Sequence, residues 1–181
     1  MALNFLGYLS GIATMAHIFS QACQGTDIQI LDTRKTLPGY RRLVKKAVVD
    51  GGAHNHRMNL SEAVLIKENH IRLAGSITKA VEMIRASHQG PIEVETTNLN
   101  EVKEAIENQV ERILLDNMDN ATLQQALEII PQEIETEASG NMNLSRVREL
   151  VKLKNLNYIS VGALTHSAPC ADFSLLFEWP E

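Results

Sequence analysis

The sequence is poor in cysteine, and it lacks the segments by which secreted and membrane proteins are recognised. Cys23 and Cys170 are too few for a disulfide framework, so buried thiols are the simplest interpretation. No apolar run reaches the length expected of a membrane span, and no basic residues precede the first apolar residues, as they would in a signal peptide. We therefore expect a soluble, cytoplasmic protein with no membrane partner.

Low-complexity segments and linkers rich in proline or glycine are also absent. At 181 residues the chain is long enough to bury the core of one domain. Its net charge of −5 argues against a general nucleic-acid-binding protein, which would present a basic face.

One segment departs from this acidic background. Residues 32–70 contain eight lysines and arginines against four aspartates and glutamates, a formal charge of +4. Clustered cations repel one another when no anion is near, so they need an anionic ligand or a structural acid. The segment predicts a site for a small, highly charged anion.

Hydrophobic periodicity predicts helices that alternate with short strands. A long first helix ends near Gly25. Strands are expected over 28–31, 64–66 (a strand or a turn), 92–95, 112–115, 133–137, 158–161 and 173–177. Helices are expected over 40–50, 76–88, 99–108, 121–130 and 144–152. This alternation is typical of a parallel sheet, and the lack of a GxGxxG turn favours a TIM-like α/β barrel, complete or incomplete, over a dinucleotide-binding fold.

The cations of the basic segment divide between loops and one helix. Arg34, Lys35 and Arg57 lie in predicted loops, and we interpret them as ligands of an anion because arginine donors form a fork that fits a carboxylate or phosphate. His56 and Lys67 could complete the cluster. Four cations are interpreted instead as the solvated face of an amphipathic helix: Arg41, Arg42, Lys45 and Lys46.

Two carboxylates end successive predicted strands. Glu95 and Asp116 could bind Mg²⁺ together with substrate phosphate oxygens, or stabilise positive charge on a sugar. Each could instead cap the helix that follows it. The sequence leaves both interpretations open.

Small residues follow the last two strands before the C-terminal segment. Ser139-Gly140-Asn141 and Val161-Gly162-Ala163 could hold a phosphate through backbone N–H groups, or could be ordinary turns. His166 could donate to the same phosphate or cap a helix. The spacing of His54, His56 and His70 does not exclude zinc, but no cysteine or acid accompanies them closely, so zinc is disfavoured.

Together these motifs resemble the quinolinate phosphoribosyltransferases. The matching segments follow the family's order and cover nearly the whole chain: LNFLGYLSGIAT (3–14), DTRKTLPGYR (32–41), GGAHNHRMNLSEAVLIKENH (51–70), IEVE (92–95), ILLDNM (113–118), EASGN (137–141) and ISVGALTHSAP (159–169). The resemblance implies a pentosyltransferase of NAD biosynthesis. Such an enzyme converts quinolinate and phosphoribosyl pyrophosphate into nicotinate mononucleotide, pyrophosphate and CO₂, with substrate-associated Mg²⁺ and no organic cofactor.

The resemblance also implies a role for individual residues. The residues implied to bind quinolinate are Arg34, Lys35, His56, Arg57 and Lys67. Those implied to bind phosphoribosyl pyrophosphate are Glu95, Asp116, Ser139, Gly140, Asn141, Val161, Gly162, Ala163 and His166. The implied catalytic residues are Lys35, Glu95 and Asp116, of which the two carboxylates also hold the metal.

Family members carry an N-terminal domain before the barrel, which this sequence does not match. The resemblance implies that residues 1–25 join that domain to the barrel, that 26–168 form the catalytic barrel, and that 169–181 form a strand or tail that pairs with the domain. It also implies a homodimer or a higher homo-oligomer. Two alternatives stay open: a catalytically impaired anion-binding barrel, and a related phosphoribosyltransferase with another substrate.

Overall fold

A computed structural model describes residues 1–178 and consists of helices that alternate with parallel strands. The helices are α1 (Ala2–Ala22), α2 (Arg41–Asp50), α3 (Glu68–Ala74), α4 (Ile77–Arg85), α5 (Leu99–Glu107), α6 (Asn120–Ile129), α7 (Leu144–Leu150) and α8 (Ala163–His166). The strands are β1 (Gln29–Leu31), β2 (Val64–Ile66), β3 (Ile92–Thr96), β4 (Arg112–Asp116), β5 (Glu135–Ser139) and β6 (Tyr158–Ser160).

The six strands form one parallel sheet in the order β1-β6-β5-β4-β3-β2. The last strand in the chain thus lies beside the first. On the other edge of β1, Leu31 forms a further parallel bridge with His54. The Arg57 guanidinium then donates to the carbonyl of Ala63, directly before β2, at 2.8 Å. This arrangement confirms the predicted TIM-like α/β barrel.

Polar side chains determine where several helices begin. The Ser76 hydroxyl accepts a hydrogen bond from the backbone of Lys79 at 3.1 Å, as the sequence predicts. Asn98, Asp119 and Asn143 cap α5, α6 and α7 in the same way. α3 was not predicted, because it buries no residue and therefore shows no hydrophobic stripe.

α1 packs against the barrel through α2, α7, α8 and β1. Ile12, Ala16 and Phe19 are buried on this face. Contrary to the sequence expectation, α1 is long and apolar enough to cross a membrane, with a mean hydropathy of 1.3, by length and composition alone. Core helices and N-terminal signal sequences pass the same test, and 28% of this apolar window of α1 is buried.

The C-terminal segment runs along α1. A Cβ atom on Gly11 would lie 1.7 Å from the carbonyl oxygen of Pro169, so only glycine allows this close approach. The strand predicted over 173–177 does not form, because no strand among residues 1–178 pairs with it. Phe173, Leu175 and other apolar side chains of this stretch are exposed instead. The final residues of the predicted 169–181 tail, from 179 onward, lie outside the described residues.

Candidate active site at the carboxyl ends of the strands

The carboxyl ends of the strands surround a cavity of about 640 Å³. Almost all of the predicted site residues line it: Arg34, Lys35, His56, Arg57, Lys67, Glu95, Asp116, Ser139, Gly140, Asn141, Gly162, Ala163 and His166. The exception is Val161. Its side chain is fully buried in the hydrophobic core, and its N–H donates to the carbonyl of Leu31 at 2.9 Å. Val161 therefore supports the turn from below and cannot offer its N–H to a phosphate.

Two arginines converge on one side of the cavity. Burial and the neighbouring Arg34 guanidinium both lower the pKa of Arg57. The Nε atom of Arg34 is buried and has no hydrogen-bond partner within residues 1–178. Such a donor needs an acceptor, because an unpaired buried polar atom costs free energy. An anion between Arg34 and Arg57 would supply that acceptor and relieve their repulsion.

A buried ion pair holds both loops that carry these cations. Lys45 was predicted to be solvated, and this prediction is wrong: the side chain is fully buried and its ammonium group is paired with Asp32. The ammonium also donates to the His56 carbonyl at 2.7 Å, while Asp32 accepts from the His56 N–H at 2.9 Å. The pair thereby ties the end of β1 to the loop before Arg57.

The other three cations of α2 differ in burial and in their hydrogen-bond partners. Arg41 is half-buried and donates to the carbonyl of Arg34 at 3.2 Å, so it also supports the β1 loop. Lys46 is exposed and pairs with Asp50 at 2.8 Å. Arg42 is exposed as well. The solvated-face interpretation thus holds for Lys46 and Arg42 only.

Both ring nitrogens of His56 face other groups of the protein. Nδ1 accepts a hydrogen bond from the N–H of Arg57 at 2.8 Å. Nε2 lies 3.3 Å from a Glu93 carboxylate oxygen and 3.5 Å from one of Glu137. Burial lowers the pKa of the imidazole, which favours its neutral form. His56 is therefore placed to fix the backbone of Arg57.

The two predicted metal ligands face the cavity from adjacent strands. Asp119, not Asp116, caps α6, and Asn98 caps the helix after Glu95. The capping interpretation of Glu95 and Asp116 is therefore wrong. Both carboxylates are hard oxygen ligands of the kind Mg²⁺ prefers, so the donor set fits this ion. Glu95 is ion-paired with Lys67 across the cavity.

The turn after β5 has a strained backbone. Gly140 has a φ of +94°, and a Cβ atom there would lie 2.2 Å from Oδ1 of Asn117. Asn141 and Asn117 also have positive φ, and the Asn141 amide donates to Asn117 at 3.1 Å. These contacts hold the 139–141 turn against the end of β4.

The zinc interpretation of the three histidines finds no support. Among the described residues, His54 and His70 do not join His56 in a cluster of metal-ligating side chains. Nδ1 of His70 instead accepts a hydrogen bond from the N–H of Lys67 at the start of α3, at 2.9 Å.

Sequence reasoning overlooked Glu93 and Glu137, two buried carboxylates of the barrel interior. A signal was present in IEVE and ETEAS: in a strand with alternating faces, Glu93 shares a face with Glu95, and Glu137 shares one with Ser139. Residues that share a face with a predicted site residue were candidates for the same interior.

The fold and the cavity together define an α/β barrel whose strands carry, at their carboxyl ends, a cavity lined by cations and carboxylates. The family model for the quinolinate phosphoribosyl transferase C-terminal domain matches residues 12–176. The chain belongs to this family.

Known relatives extend this assignment. The chain is 46% identical over 180 residues to a probable nicotinate-nucleotide pyrophosphorylase (carboxylating) of Synechocystis, covering 97% of this chain and 61% of that protein. It is 42% identical to a chloroplastic nicotinate-nucleotide pyrophosphorylase (carboxylating) of Arabidopsis thaliana, covering 96% and 55%. A crystal structure of the nicotinate-nucleotide pyrophosphorylase of Ehrlichia chaffeensis matches with a TM-score of 0.90 at 40% identity, covering 94% and 62%. The chain thus spans less than two thirds of each relative.

Proposed function

We propose that this chain carries the active site of a carboxylating nicotinate-nucleotide pyrophosphorylase. The substrates would be quinolinate and phosphoribosyl pyrophosphate, and the products nicotinate mononucleotide, pyrophosphate and CO₂. One observation carries the proposal: the cations Arg34 and Arg57 share a single cavity with the carboxylates Glu95 and Asp116.

Each part of the cavity suits one part of this chemistry. The arginines and Lys35 fit the two carboxylates of quinolinate, since forked donors bind planar anions in pairs. The turn at Ser139-Gly140 and the one at Gly162 fit the 5-phosphate. Mg²⁺ held with the substrate by Glu95 and Asp116 would offset the charge of the pyrophosphate as it leaves.

The reaction proceeds by positioning and electrostatics. The pyridine nitrogen forms a bond to ribose carbon 1 while the bond from that carbon to pyrophosphate breaks. Glu95 and Asp116 also stabilise the positive charge that develops on the ribose. The ring nitrogen is then cationic, so it stabilises the electron pair left on carbon 2 when CO₂ departs.

The test is to incubate the chain with quinolinate, phosphoribosyl pyrophosphate and Mg²⁺ and to follow nicotinate mononucleotide by chromatography. Quinolinate binding is measured in parallel by titration calorimetry. We expect binding and product formation. A folded sample that binds neither substrate would refute the proposal.

A second candidate is an anion-binding barrel that binds quinolinate without turnover. The ion pair between Lys67 and Glu95 favours it, because the pair occupies one proposed quinolinate ligand and one proposed metal ligand at once. Quinolinate binding without product would support this candidate over the enzyme.

We further propose a homodimer or a higher homo-oligomer. Exposed apolar side chains support it, because a large apolar surface favours association; they include Leu3, Leu6, Ile18, Leu175, Leu176 and Phe177. Sedimentation velocity would test it, and a monomer at micromolar concentration would refute it.

A cytoplasmic location is also proposed. Cys23 and Cys170 are free thiols, which fits a reducing compartment. The Arabidopsis relative is named as chloroplastic, so cell fractionation is the test.

A further inference from the structure

A buried polar cluster lies beneath the cavity, at the centre of the barrel. Glu137 is fully buried, yet it lines the cavity floor together with Ser160 on the neighbouring strand. The Ser160 hydroxyl is hydrogen-bonded to one oxygen of Glu137. The other oxygen lies 3.5 Å from His56 and 3.5 Å from the Arg112 guanidinium.

His56, Glu93 and Glu137 are close enough together to suggest a metal site. The tautomer of His56 argues against it. Nδ1 accepts the Arg57 N–H, so it carries no proton, and the proton of the neutral ring is on Nε2. That N–H lies near the two carboxylates, at 3.3 Å and 3.5 Å, without forming a hydrogen bond to either, and a protonated nitrogen has no lone pair for a metal ion. The cluster therefore suits bound protons better than a metal ion.

The charge balance places one such proton on Glu137. Burial and the neighbouring Glu93 raise the pKa of Glu137 to about 8, against the opposing effects of His56, Ser160 and Arg112. The titratable and charged groups that face it are Glu93 on β3, Arg112 on β4, Tyr158 on β6 and His56 on the loop after α2. Near neutral pH, Glu137 is thus a carboxylic acid at the cavity floor.

The proposed reaction needs a proton donor that lines the cavity. When the bond between ring carbon 2 and its carboxylate breaks, CO₂ leaves and the electron pair stays on carbon 2 beside the cationic nitrogen. Carbon 2 must then gain a proton to give nicotinate mononucleotide. Arg34 and Arg57 are poor donors, since arginine does not release its proton in proteins.

Building on the proposed function, we propose that Glu137 is the acid that protonates ring carbon 2, through the hydroxyl of Ser160. In this structure the Ser160 hydroxyl donates to Glu137, so for the transfer it turns toward the ring. Carbon 2 then takes the hydroxyl proton of Ser160 as Ser160 takes the carboxyl proton of Glu137. Glu137 is left as a carboxylate and regains a proton from solvent. Electrons and atoms balance, and no further reactant is needed.

The reverse of this step can be tested without phosphoribosyl transfer. The chain is saturated with nicotinate mononucleotide in D₂O, and the loss of the ring carbon 2 proton is followed by NMR. In this direction the Glu137 carboxylate removes the proton, so exchange should rise with pH and level off above about 8. Glu137→Gln should lower the exchange rate about 100-fold or more, the usual contribution of a general acid or base.

Two further variants and one affinity measurement complete the test. Ser160→Ala should slow exchange while leaving Glu137 in place, and it serves if Glu137→Gln fails to fold. Glu135→Gln is the matched control, because Glu135 is on the same strand and pairs with Arg112 but does not line the cavity. Nucleotide affinity, measured by calorimetry, should stay within about 3-fold in all variants.

Two results would overturn the assignment of Glu137 without affecting the proposed function. One is an unaltered chain that binds the nucleotide but shows no exchange. The other is an exchange rate in both Glu137→Gln and Ser160→Ala that lies within 2-fold of the rate of the unaltered chain. Failure of the unaltered chain to bind either quinolinate or the nucleotide would instead refute the proposed function, and the assignment with it.

Discussion

Replacing Lys45 with methionine should destabilise the protein strongly, because it leaves the carboxylate of Asp32 buried without a cation. The lysine has no exposed surface, and its ammonium group bonds to Asp32 and to the carbonyl of His56. Breaking one partner of a buried pair costs about 3–5 kcal/mol, and methionine keeps most of the side-chain volume. We therefore expect Lys45→Met to lower the free energy of unfolding by about that amount.

The assay is urea unfolding followed by circular dichroism, with Lys46→Met as the matched control. Lys46 is the next residue of α2, and its pair with Asp50 is exposed, so its loss should cost at most about 1 kcal/mol. A cost for Lys45→Met within about 1 kcal/mol of the control would refute the reasoning.

The pH dependence of the same variant provides a second test. Burial already raises the pKa of Asp32, and Lys45 opposes that rise. Without the lysine the folded-state pKa rises further above the unfolded value. The deficit of the variant should then be small at low pH, where Asp32 is protonated in both states, and should grow as pH rises. A deficit that is constant from pH 5 to pH 8 would contradict this account.

Three further predictions concern the cavity. Arg57→Ala should weaken quinolinate binding by about 30-fold or more, since charged pairs at binding sites contribute about 2–5 kcal/mol, whereas the exposed Arg42→Ala should leave it unchanged. Calorimetry measures both, and equal effects would count against Arg57 as a quinolinate ligand. Gly140→Ala should reduce the affinity for phosphoribosyl pyrophosphate. The control is Gly39→Ala, because Gly39 also has a positive φ but has open space around it, so this change should only destabilise the protein by about 1–3 kcal/mol. Equal affinity in both variants would contradict a phosphate-binding role for the Gly140 turn. Asp116→Asn should abolish the Mg²⁺-dependent binding of phosphoribosyl pyrophosphate in equilibrium dialysis. It should leave the melting temperature nearly unchanged, because Asp116 caps no helix. Retained binding would exclude Asp116 as a metal ligand.

Local sequence patterns were sufficient for most elements of the barrel. Strands such as Ile92–Thr96 follow from short apolar runs, and helices such as Ile77–Arg85 from apolar spacing and the Ser76 cap. The strand predicted over 173–177 failed because a strand depends on a partner for its hydrogen bonds, and no partner lies among residues 1–178. α3 was missed because its helical state rests on no buried face.

The residues of the candidate site also differ in how well the sequence predicted them. Arg34, Glu95 and Asp116 were predictable because they follow apolar runs, and strand ends of a parallel barrel meet at one face. Arg57 was predicted from its place in a loop. Their roles in binding and catalysis stay predictions. Lys45 was misassigned because a lysine on an amphipathic helix is normally solvated.

The sequence by itself determined the order of strands and helices, and with it the edge of the sheet where the polar residues collect. Only the tertiary structure decided which of those residues are buried and paired. Asp32 can hold Lys45 in the interior because the loop after α2 returns to β1 and supplies the backbone of His56. The pKa of Glu137 rises to about 8 only because the fold buries this carboxyl group and brings Glu93 beside it. Both depend on contacts between residues far apart in the chain, which no local pattern encodes.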